Sequence, residues 1–306
     1  MKFVKETFKA DSLLLLASII WGFAFVAQRN GMEFIGPFAF SAARFGLGAL
    51  ALLPVVILRK RREERKGTLE NPLRLSPKSR TLWAAAAGTM LCLAVSFQQI
   101  GLVSTTAGNA GFITCLYVVL VPMVGFLRGN ASGIRIWIGA LLALVGLYVL
   151  SIGTGLNPAP GDLLELIGAF FWAGHILVIG HIGSSMDTFE LSVGQFATCS
   201  LLSFIAALIR EPDAFAGLIP AAIPILYGGL LSTCLAYPLQ IIGQRTAHPA
   251  HASIILSMEA LFAAIGGVII LHEPTTARLV IGGLLMFTGM ICSQFEGKKA
   301  TDPEPA

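Results

Sequence analysis

Long apolar runs constrain this chain more than any other feature of its sequence. Residues 12–28, 37–58 and 81–103 contain almost no charged side chains, and each run is close to the ~20 residues that a helix needs to cross the hydrocarbon core of a bilayer. Only 12% of all residues are charged, whereas soluble domains have about 25%. The sequence therefore predicts an all-α integral membrane protein.

Ten transmembrane helices are predicted from the apolar runs and from the Gly, Pro and charged residues that separate them. Most connections are short, but residues 59–80 are polar and rich in Lys and Arg, and we expect a basic cytoplasmic loop there. Residues 296–306 form a predicted cytoplasmic tail. The predicted helices are 12–29, 37–58, 81–103, 106–127, 133–152, 162–182, 188–209, 217–243, 247–271 and 277–295.

The basic residues are distributed unevenly over the two faces of this arrangement. Seventeen of the 21 Lys and Arg residues fall on one face and three on the other, and Arg44 lies within the membrane. Because basic residues stay cytoplasmic, both termini are predicted to be cytoplasmic. Orientation also explains the net charge of +4, so we expect no nucleic-acid partner. The first run is too long for a signal-peptide core, and Phe25 blocks a cleavage site ending at Ala27.

An internal repeat connects the two halves of the chain. A shift of 151 positions lays the first two helices on the sixth and seventh without a gap, and later segments match at offsets of 140 to 143. Arg44 falls on Gln195 and breaks the pattern. The residues that match across the 151-residue shift are Asp11 and Asp162, Trp21 and Trp172, Phe38 and Phe189, Ser41 and Ser192, and Phe45 and Phe196.

The two repeats are predicted to have opposite orientations. A five-helix unit ends on the side of the membrane opposite to its start, so the second copy is inverted relative to the first. We assign residues 11–152 to the first repeat and 161–295 to the second, related by two-fold pseudosymmetry in the membrane plane.

Several local motifs resemble those of the EamA family in the drug/metabolite transporter superfamily. They are SIIWGFAF and SAARFGLGAL in the first repeat, and GDLLELIGAFFWAGH and ASIILSMEALFAAIGGVIILHEP in the second. The resemblance covers about residues 11–295 and departs at Ala260, where the family commonly has Pro. It implies a secondary transporter in a bacterial inner membrane, exporting or exchanging small metabolites such as amino acids by alternating access around a central site.

Glu259 is the candidate for proton coupling or for binding a substrate amine. It lies about 18 Å along the ninth predicted helix, near the bilayer midplane, and burial favours the protonated form of a carboxyl group. The alternative is a hydrogen-bonded Glu that joins two helices. At the 140-residue offset, Glu259 falls on Val119.

Arg44 has three open interpretations. It lies about 10 Å from the outer end of the second helix, so its side chain is long enough to extend to the interface. It is also a candidate for an ion pair with Glu259 or Glu165, or for a clamp that binds an anion through its guanidinium fork.

The other substrate-binding candidates are aromatic or polar. Trp21 and Trp172 are equivalent in the two repeats, and each either lines a pocket or fills the bundle. His175 shares a helix face with Trp172 and is either a proton relay or a packing residue. The polar residues near the predicted centre include Gln98, Gln99, Asn109, Tyr117, Tyr237, Gln240 and Ser253, and of these we select Gln98, Asn109, Tyr117 and Tyr237.

No motif for a metal, a cofactor or ATP is found. The five Cys residues are isolated in apolar runs, and His248 and His251 share a helix face without a third ligand. We therefore expect no enzyme activity and no cofactor. A membrane-embedded enzyme, which needs paired catalytic side chains such as a Ser and a His, and a non-transporting scaffold remain as alternatives. The expected partners are a small-molecule substrate, the lipid bilayer and protons, and nothing indicates an oligomeric state.

Overall fold

The computed structural model describes residues 2–66, 75–104, 107–129, 132–151, 160–270 and 277–294. Within these ranges the regular elements are helices, without a strand. Nine helical spans there are long and apolar enough to cross a bilayer, and a shorter apolar helix, Ile134–Val149, completes a set of ten. The predicted all-α membrane architecture is confirmed.

We number the spans α1 to α10 and give the segments of an interrupted span the letters a and b. Their bounds are α1 Lys2–Gly31, α2 Pro37–Lys66, α3 Pro77–Ser104, α4a Ala107–Thr114, α4b Tyr117–Leu127, α5 Ile134–Ser151, α6 Pro160–Ile182, α7 Thr188–Arg210, α8a Ala222–Leu226, a π-helical segment Tyr227–Ala236, α8b Tyr237–Gln244, α9a Pro249–Leu256, α9b Glu259–Ile270 and α10 Ala277–Gln294.

Local sequence explains where several helices begin. Proline is favoured at the first helical position because the N–H group that it lacks would have no partner there. Asp187 caps α7, since its carboxylate accepts hydrogen bonds of 3.0 Å from two backbone N–H groups of the first turn. The helices that begin with proline are α2 at Pro37, α3 at Pro77, α6 at Pro160 and α9a at Pro249.

Helix α2 is longer than predicted. It continues to Lys66, through the sequence RKRREERK, because Arg, Lys and Glu are strong helix formers even beyond the hydrocarbon core. The predicted loop 59–80 is therefore helical at both of its ends, and residues 67–74 lie outside the described ranges. The predicted tail 296–306 also lies outside them.

Helices α4 and α9 were predicted as the spans 106–127 and 247–271, and the structure interrupts both of them within the span. The backbone N–H of Leu116 donates to the carbonyl of Ile113, and that of Met258 donates to Ile255, both at 3.1 Å. Such bonds span three residues instead of four and tighten the helix locally. The two interruptions are 142 positions apart and so are equivalent in the two repeats. The interruption in α9 occurs with Ala260 in place of the family's Pro.

The pairs of helices in contact follow the two-fold pseudosymmetry. Helix α2 packs on its repeat equivalent α7, and α5 packs on α10. The contact between α3 and α6 is matched by that between α8 and α1, and the contact between α1 and α9b is matched by that between α6 and α4b. This exchange supports the two inverted five-helix units, whereas the boundaries 11–152 and 161–295 stay predictions.

Glycine residues allow α5 and α10 to pack closely. A Cβ atom added to Gly146 would lie 2.6 Å from the carbonyl oxygen of Gly282, and one added to Gly139 would lie 2.7 Å from that of Gly289. Small residues that bring helix backbones together in this way are typical of membrane proteins.

The outer faces of the bundle are apolar and its interior is partly polar. Leu50 and Ile209 are 69% and 73% exposed, while Gln99, Gln195 and Glu165 are fully buried. Lipid tails solvate an apolar surface but not an unpaired polar group, so this distribution is that of an integral membrane protein.

Candidate functional site

A cavity lies at the centre of the bundle, between helices of both repeats. It has about 480 Å³ of space not filled by atoms, a volume that includes solvent at its open side. Its lining residues are Trp21, Phe25 and Gln28 of α1, Arg44 of α2, Gln98 of α3, Tyr117 of α4b, Trp172 and Ile176 of α6, Ser232 of the π-helical segment, Tyr237 and Gln240 of α8b, Leu256 of α9a and Glu259 of α9b.

The structure brings most of the predicted substrate-binding residues to this cavity. His175 lies behind the lining, and the side chain of Asn109 lies outside what the structure describes. The function of these residues in binding stays a prediction. Six of the eight line the cavity: Trp21, Gln98, Tyr117, Trp172, Tyr237 and Glu259.

Aromatic rings form one side of the cavity. The ring of Trp21 meets that of Tyr237 edge to face, with centroids 4.8 Å apart. Its indole N–H donates a 3.1 Å hydrogen bond to the carbonyl of Ser232 in the π-helical segment. Trp172 lies on the opposite repeat, and its indole N–H has no partner among the described residues. The two equivalent tryptophans therefore differ, since one is fixed to the protein and the other has a free donor.

Glu259 is the first residue of α9b, directly after the interruption. Its Oε1 atom accepts a 2.9 Å hydrogen bond from the hydroxyl of Tyr117, and the thiol of Cys115 lies 3.7 Å from the same oxygen. The residue is only 8% exposed. At the interruption, the carboxyl group of Glu259 faces the cavity, and Tyr117 fixes one of its oxygens.

The interruptions also change the alignment of Glu259 with the first repeat. At their offset of 142 positions, Glu259 is equivalent to Tyr117 and Ser257 is equivalent to Cys115. Both pairs are in contact, since the thiol of Cys115 lies 3.7 Å from the carbonyl oxygen of Ser257. Val119, expected opposite Glu259 at the 140-residue offset, is therefore not its equivalent. Residues related by the pseudosymmetry meet at this point.

Arg44 points into the bundle, so the expectation that it extends to the interface is wrong. It is 2% exposed, and its guanidinium carbon lies 4.6 Å from the ring centroid of Phe45 and 5.7 Å from that of Phe40. In the described part of the chain, no carboxylate comes within ion-pair distance of it. The faces of the two rings stabilise the cation. They do not use its N–H groups, so the guanidinium is able to bind a ligand.

His175 supports the cavity from behind. Its Nε2 atom lies 2.9 Å from the side-chain oxygen of Gln195, the repeat equivalent of Arg44. The imidazole ring also meets Trp172 and Tyr237 edge to face, with centroids 6.1 and 6.0 Å apart. At this equivalent position the second repeat has Gln195, which makes a hydrogen bond, whereas the first repeat has the cation Arg44.

Several polar atoms of the lining have no protein partner. Buried polar groups are normally hydrogen-bonded, so such atoms are available to a bound molecule. Within the described residues they are Gln28 Oε1, Arg44 Nε, Trp172 Nε1 and Gln240 Oε1.

Five lining residues were not named from the sequence. The position of Ser232 at the cavity could not be predicted, because nothing in the sequence signals the π-helical register. Leu256 reaches the cavity because α9 is interrupted directly after it. The other three follow Trp21 or Trp172 by four or seven positions and share its helix face, so helical spacing identifies them: Phe25, Gln28 and Ile176.

A Ser, a His and an Asp are linked at a different place, where α1, α9a and α10 meet. His251 Nε2 lies 2.9 Å from Asp11, and His251 Nδ1 lies 2.7 Å from the hydroxyl of Ser293. Gln294 also donates to Asp11. Ser293, however, donates its own hydroxyl hydrogen to the carbonyl of Met290 at 2.8 Å and is 1% exposed. A nucleophile has to reach its substrate, so this arrangement has the residues of a catalytic triad without the access.

Comparisons with known proteins agree with this architecture. The sequence profile of the EamA-like transporter family matches residues 8–152 and 159–294, once for each repeat. An "uncharacterized transporter" of Archaeoglobus fulgidus is 31% identical over 284 residues, which cover 92% of this chain and 84% of that protein. The "uncharacterized inner membrane transporter YedA" of Escherichia coli strain K12 is 27% identical over 223 residues, 71% of this chain and 66% of that protein.

A solved crystal structure has the same fold. It is 18% identical to this chain, superposes with a TM-score of 0.75, and the match covers 93% of this chain and 96% of the other. At this identity the likeness shows the fold alone.

Proposed function

The chain belongs to the EamA-like transporter family, and we propose that it moves small metabolites across the membrane by alternating access around the central cavity. One observation supports this proposal above the others. The cavity lies between the two repeats, and interrupted helices of both repeats, α4 and α9, place Tyr117 and Glu259 at it. Interrupted helices at a midplane site are typical of secondary transporters.

The proposed substrates are amino acids and related zwitterions. Arg44 is suited to a carboxylate, because its guanidinium offers a bidentate fork, and Glu259 is suited to an ammonium group. Trp21 and Trp172 offer rings to an apolar or aromatic side chain. One small molecule that carries both charges and an apolar part would satisfy all four residues.

The proposed transport mode is export or exchange, with protons as a second partner. Exposing the cavity to each side in turn requires one set of helices to move relative to the other. The equivalent interruptions in α4 and α9 would allow the two halves of each helix to tilt separately, and the pseudosymmetry would make the two end states alike.

We also propose that the protein lies in a bacterial plasma membrane with both termini in the cytoplasm. The uneven distribution of Lys and Arg supports this orientation. A reporter enzyme that is active only outside the cytoplasm, fused to the C-terminus, is expected to be inactive; activity would reverse the orientation.

The prediction that the chain is not an enzyme is kept as part of this proposal. Its support is the family and the inaccessible hydroxyl of Ser293. The scaffold alternative required a centre filled with apolar side chains, whereas a cavity touches Trp21, Trp172 and Glu259.

Uptake by the purified protein in liposomes tests this function. We expect uptake of at least one amino acid from a panel of radiolabelled amino acids and cationic compounds, tested with and without a pH gradient. Glu259→Gln removes a charge-assisted contact, so uptake should fall by about 10-fold or more. Glu33→Gln alters an exposed carboxylate and serves as the control.

Two results would count against the proposal. Uptake of no compound in the panel by the wild-type protein would contradict the transport function. Equal rates and equal pH dependence for the wild type and Glu259→Gln would remove Glu259 from the mechanism.

A further inference from the structure

A second carboxyl group is enclosed within the bundle, away from the lining of the cavity. Glu165 is the sixth residue of α6, Pro160–Ile182, and so lies about 8 Å from the start of that helix. It is fully buried, with 0% of the residue exposed. Nothing in the proposed substrate site uses it.

The contacts of Glu165 leave one carboxyl oxygen free. Oε2 accepts a 2.9 Å hydrogen bond from the hydroxyl of Thr114. Oε1 is buried and has no hydrogen-bond partner in the described part of the chain. The backbone of Gly101 is packed against it so closely that an added Cβ atom would lie 2.7 Å from Oε1.

No described cation neutralises this group. Asp162, one turn earlier on the same helix, is also acidic and therefore cannot serve as a counter-ion. The helices packed against α6 are α3, α4a, α4b, α8b and α9a. At Glu165, α3 presents Gly101 and α4a presents Thr114.

The ionisable groups on the other neighbouring elements have different partners. Tyr117 of α4b donates to Glu259, Tyr237 of α8b faces the cavity, and His251 of α9a contacts Asp11 and Ser293. A carboxylate at position 165 would therefore be a buried charge without a counter-ion, which is strongly unfavourable inside a membrane protein. These surroundings therefore favour the protonated, uncharged form of Glu165.

Helix α4 connects this carboxyl group to the cavity. Thr114, which donates to Glu165, is the last residue of α4a. Cys115 and Tyr117, which follow it, both contact Oε1 of Glu259. The interruption of α4 thus lies between two buried carboxyl groups and contacts each of them. A displacement of α4a relative to α4b changes the surroundings of both.

We propose that Glu165 is a second proton-binding site, coupled to Glu259 through the interruption of helix α4. Its ligand is the proton itself. When the helices move and water reaches Glu165, its O–H bond breaks and the proton passes to a water molecule. The resulting carboxylate holds that conformation until it takes up a proton again. The effect of this site on transport rests on the proposed function. If one proton is released and taken up in each transport cycle, the conformational change is coupled to the pH gradient.

Infrared spectroscopy of the purified protein in lipid nanodiscs tests the site without any substrate. A protonated carboxyl group has a C=O stretching band distinct from that of a carboxylate. We expect a pH titration to show such bands in the wild type, and Glu165→Gln to remove one of them. The control Glu33→Gln, at an exposed position, should leave them unchanged. Identical protonated-carboxyl bands in the wild type and Glu165→Gln would overturn the proposal.

A second variant keeps the test decisive if Glu165→Gln does not fold. Thr114→Val removes the hydroxyl that donates to Oε2 and keeps a side chain of similar shape. We expect the same C=O band to shift in frequency, because its carboxyl group loses one donor. An unchanged spectrum for Thr114→Val would contradict the assignment to Glu165.

Transport measurements test the coupling. With a pH-sensitive dye inside liposomes, we expect proton movement with substrate in the wild type and at least a tenfold loss of it in Glu165→Gln. If the wild type transports substrate and Glu165→Gln moves protons equally well, the second proton site fails and the transport function stands. If the wild type transports nothing but the infrared band disappears in Glu165→Gln, the transport function fails and the proton site stands.

Discussion

At the scale of single residues, the cavity combines a guanidinium group, a carboxyl group and aromatic rings. Arg44 lies against Phe45 and Phe40, and Glu259 is held by Tyr117. Neither side chain is in an ion pair within the described residues. The guanidinium of Arg44 and the carboxyl group of Glu259 are therefore both available to a ligand. An ion pair between them would have used both groups.

The first prediction concerns Arg44. Arg44→Gln gives this position the residue of its repeat equivalent, Gln195, and removes the guanidinium fork. We expect the affinity for an amino acid substrate to fall by about 10- to 100-fold, because a hydrogen bond to a charged group contributes about 1.5–3 kcal/mol. Isothermal titration in detergent micelles measures the change.

Ligand variants identify the contact that is lost. The methyl ester of the same amino acid has no carboxylate, so its affinity should be nearly the same for the wild type and Arg44→Gln. The control Arg29→Gln replaces an exposed arginine and should change neither affinity. Equal losses for the acid and the ester would show that Arg44 acts on the fold rather than on the carboxylate.

Residue chemistry was easier to predict from the sequence than residue partners. The cost of a charged group in a membrane singled out Glu259 and Arg44, and the repeat singled out the two tryptophans. The hydrogen bond from Tyr117 to Glu259 was not predicted, because the sequence offset of 140 aligned Glu259 with Val119. An error of two residues is enough to select the wrong partner on a helix.

At the scale of helices, close backbone contact determines how α5 and α10 pack. Gly146 and Gly139 face the backbone of α10 with no space for a side chain. Apolar contact alone would not fix the position of α5 along α10, because lipid solvates an apolar helix face as well as another helix does. The glycines thus define the depth at which the two helices cross.

The second prediction tests this contact. In Gly146→Ala the new Cβ atom would lie 2.6 Å from the carbonyl oxygen of Gly282, and overpacking of this kind typically costs about 1–3 kcal/mol. We expect a lower midpoint of thermal unfolding in detergent micelles. Gly174→Ala is the matched control, because its Cβ atom would meet only the sulfur of Met90 at an ordinary 3.5 Å.

The control variant Gly174→Ala is expected to change stability in the opposite direction, if it changes it at all. Alanine favours a helix over glycine by up to about 1 kcal/mol, so Gly174→Ala should leave the stability unchanged or raise it. If Gly146→Ala behaves in the same way, the α5 and α10 backbones are not in the contact described.

The helices themselves were largely predictable, and the exact positions of their interruptions were not. Apolar length and proline positions fixed most of the ten spans to within a few residues, although α1 begins ten residues before its predicted start and α2 continues eight residues beyond its predicted end. The tight turns at Leu116 and Met258 and the π-helical segment of α8 contain no residue type that signals them. They arise from packing between distant helices, which a local pattern does not contain.

At the scale of the whole molecule, the helix contacts follow the pseudosymmetry, whereas several residues at the cavity do not. Equivalent helix contacts on both sides of the pseudosymmetry axis allow the same packing to be made in two orientations, which alternating access requires. The exceptions lie at the cavity, where Arg44 and Gln195 differ and Trp21 and Trp172 have different hydrogen bonds. These differences make the two ends of the cavity chemically distinct, which would orient the proposed zwitterionic substrate.

We propose that this cavity carries a solute across the membrane by opening to each side in turn. Exchange between labelled and unlabelled substrate tests it most directly, in liposomes that contain the purified protein and either buffer or a high concentration of unlabelled amino acid. We expect faster uptake of the labelled amino acid when the unlabelled one is inside, because the loaded carrier returns more readily than the empty one. Uptake that is unaffected by internal substrate, or slowed by it, would contradict alternating access.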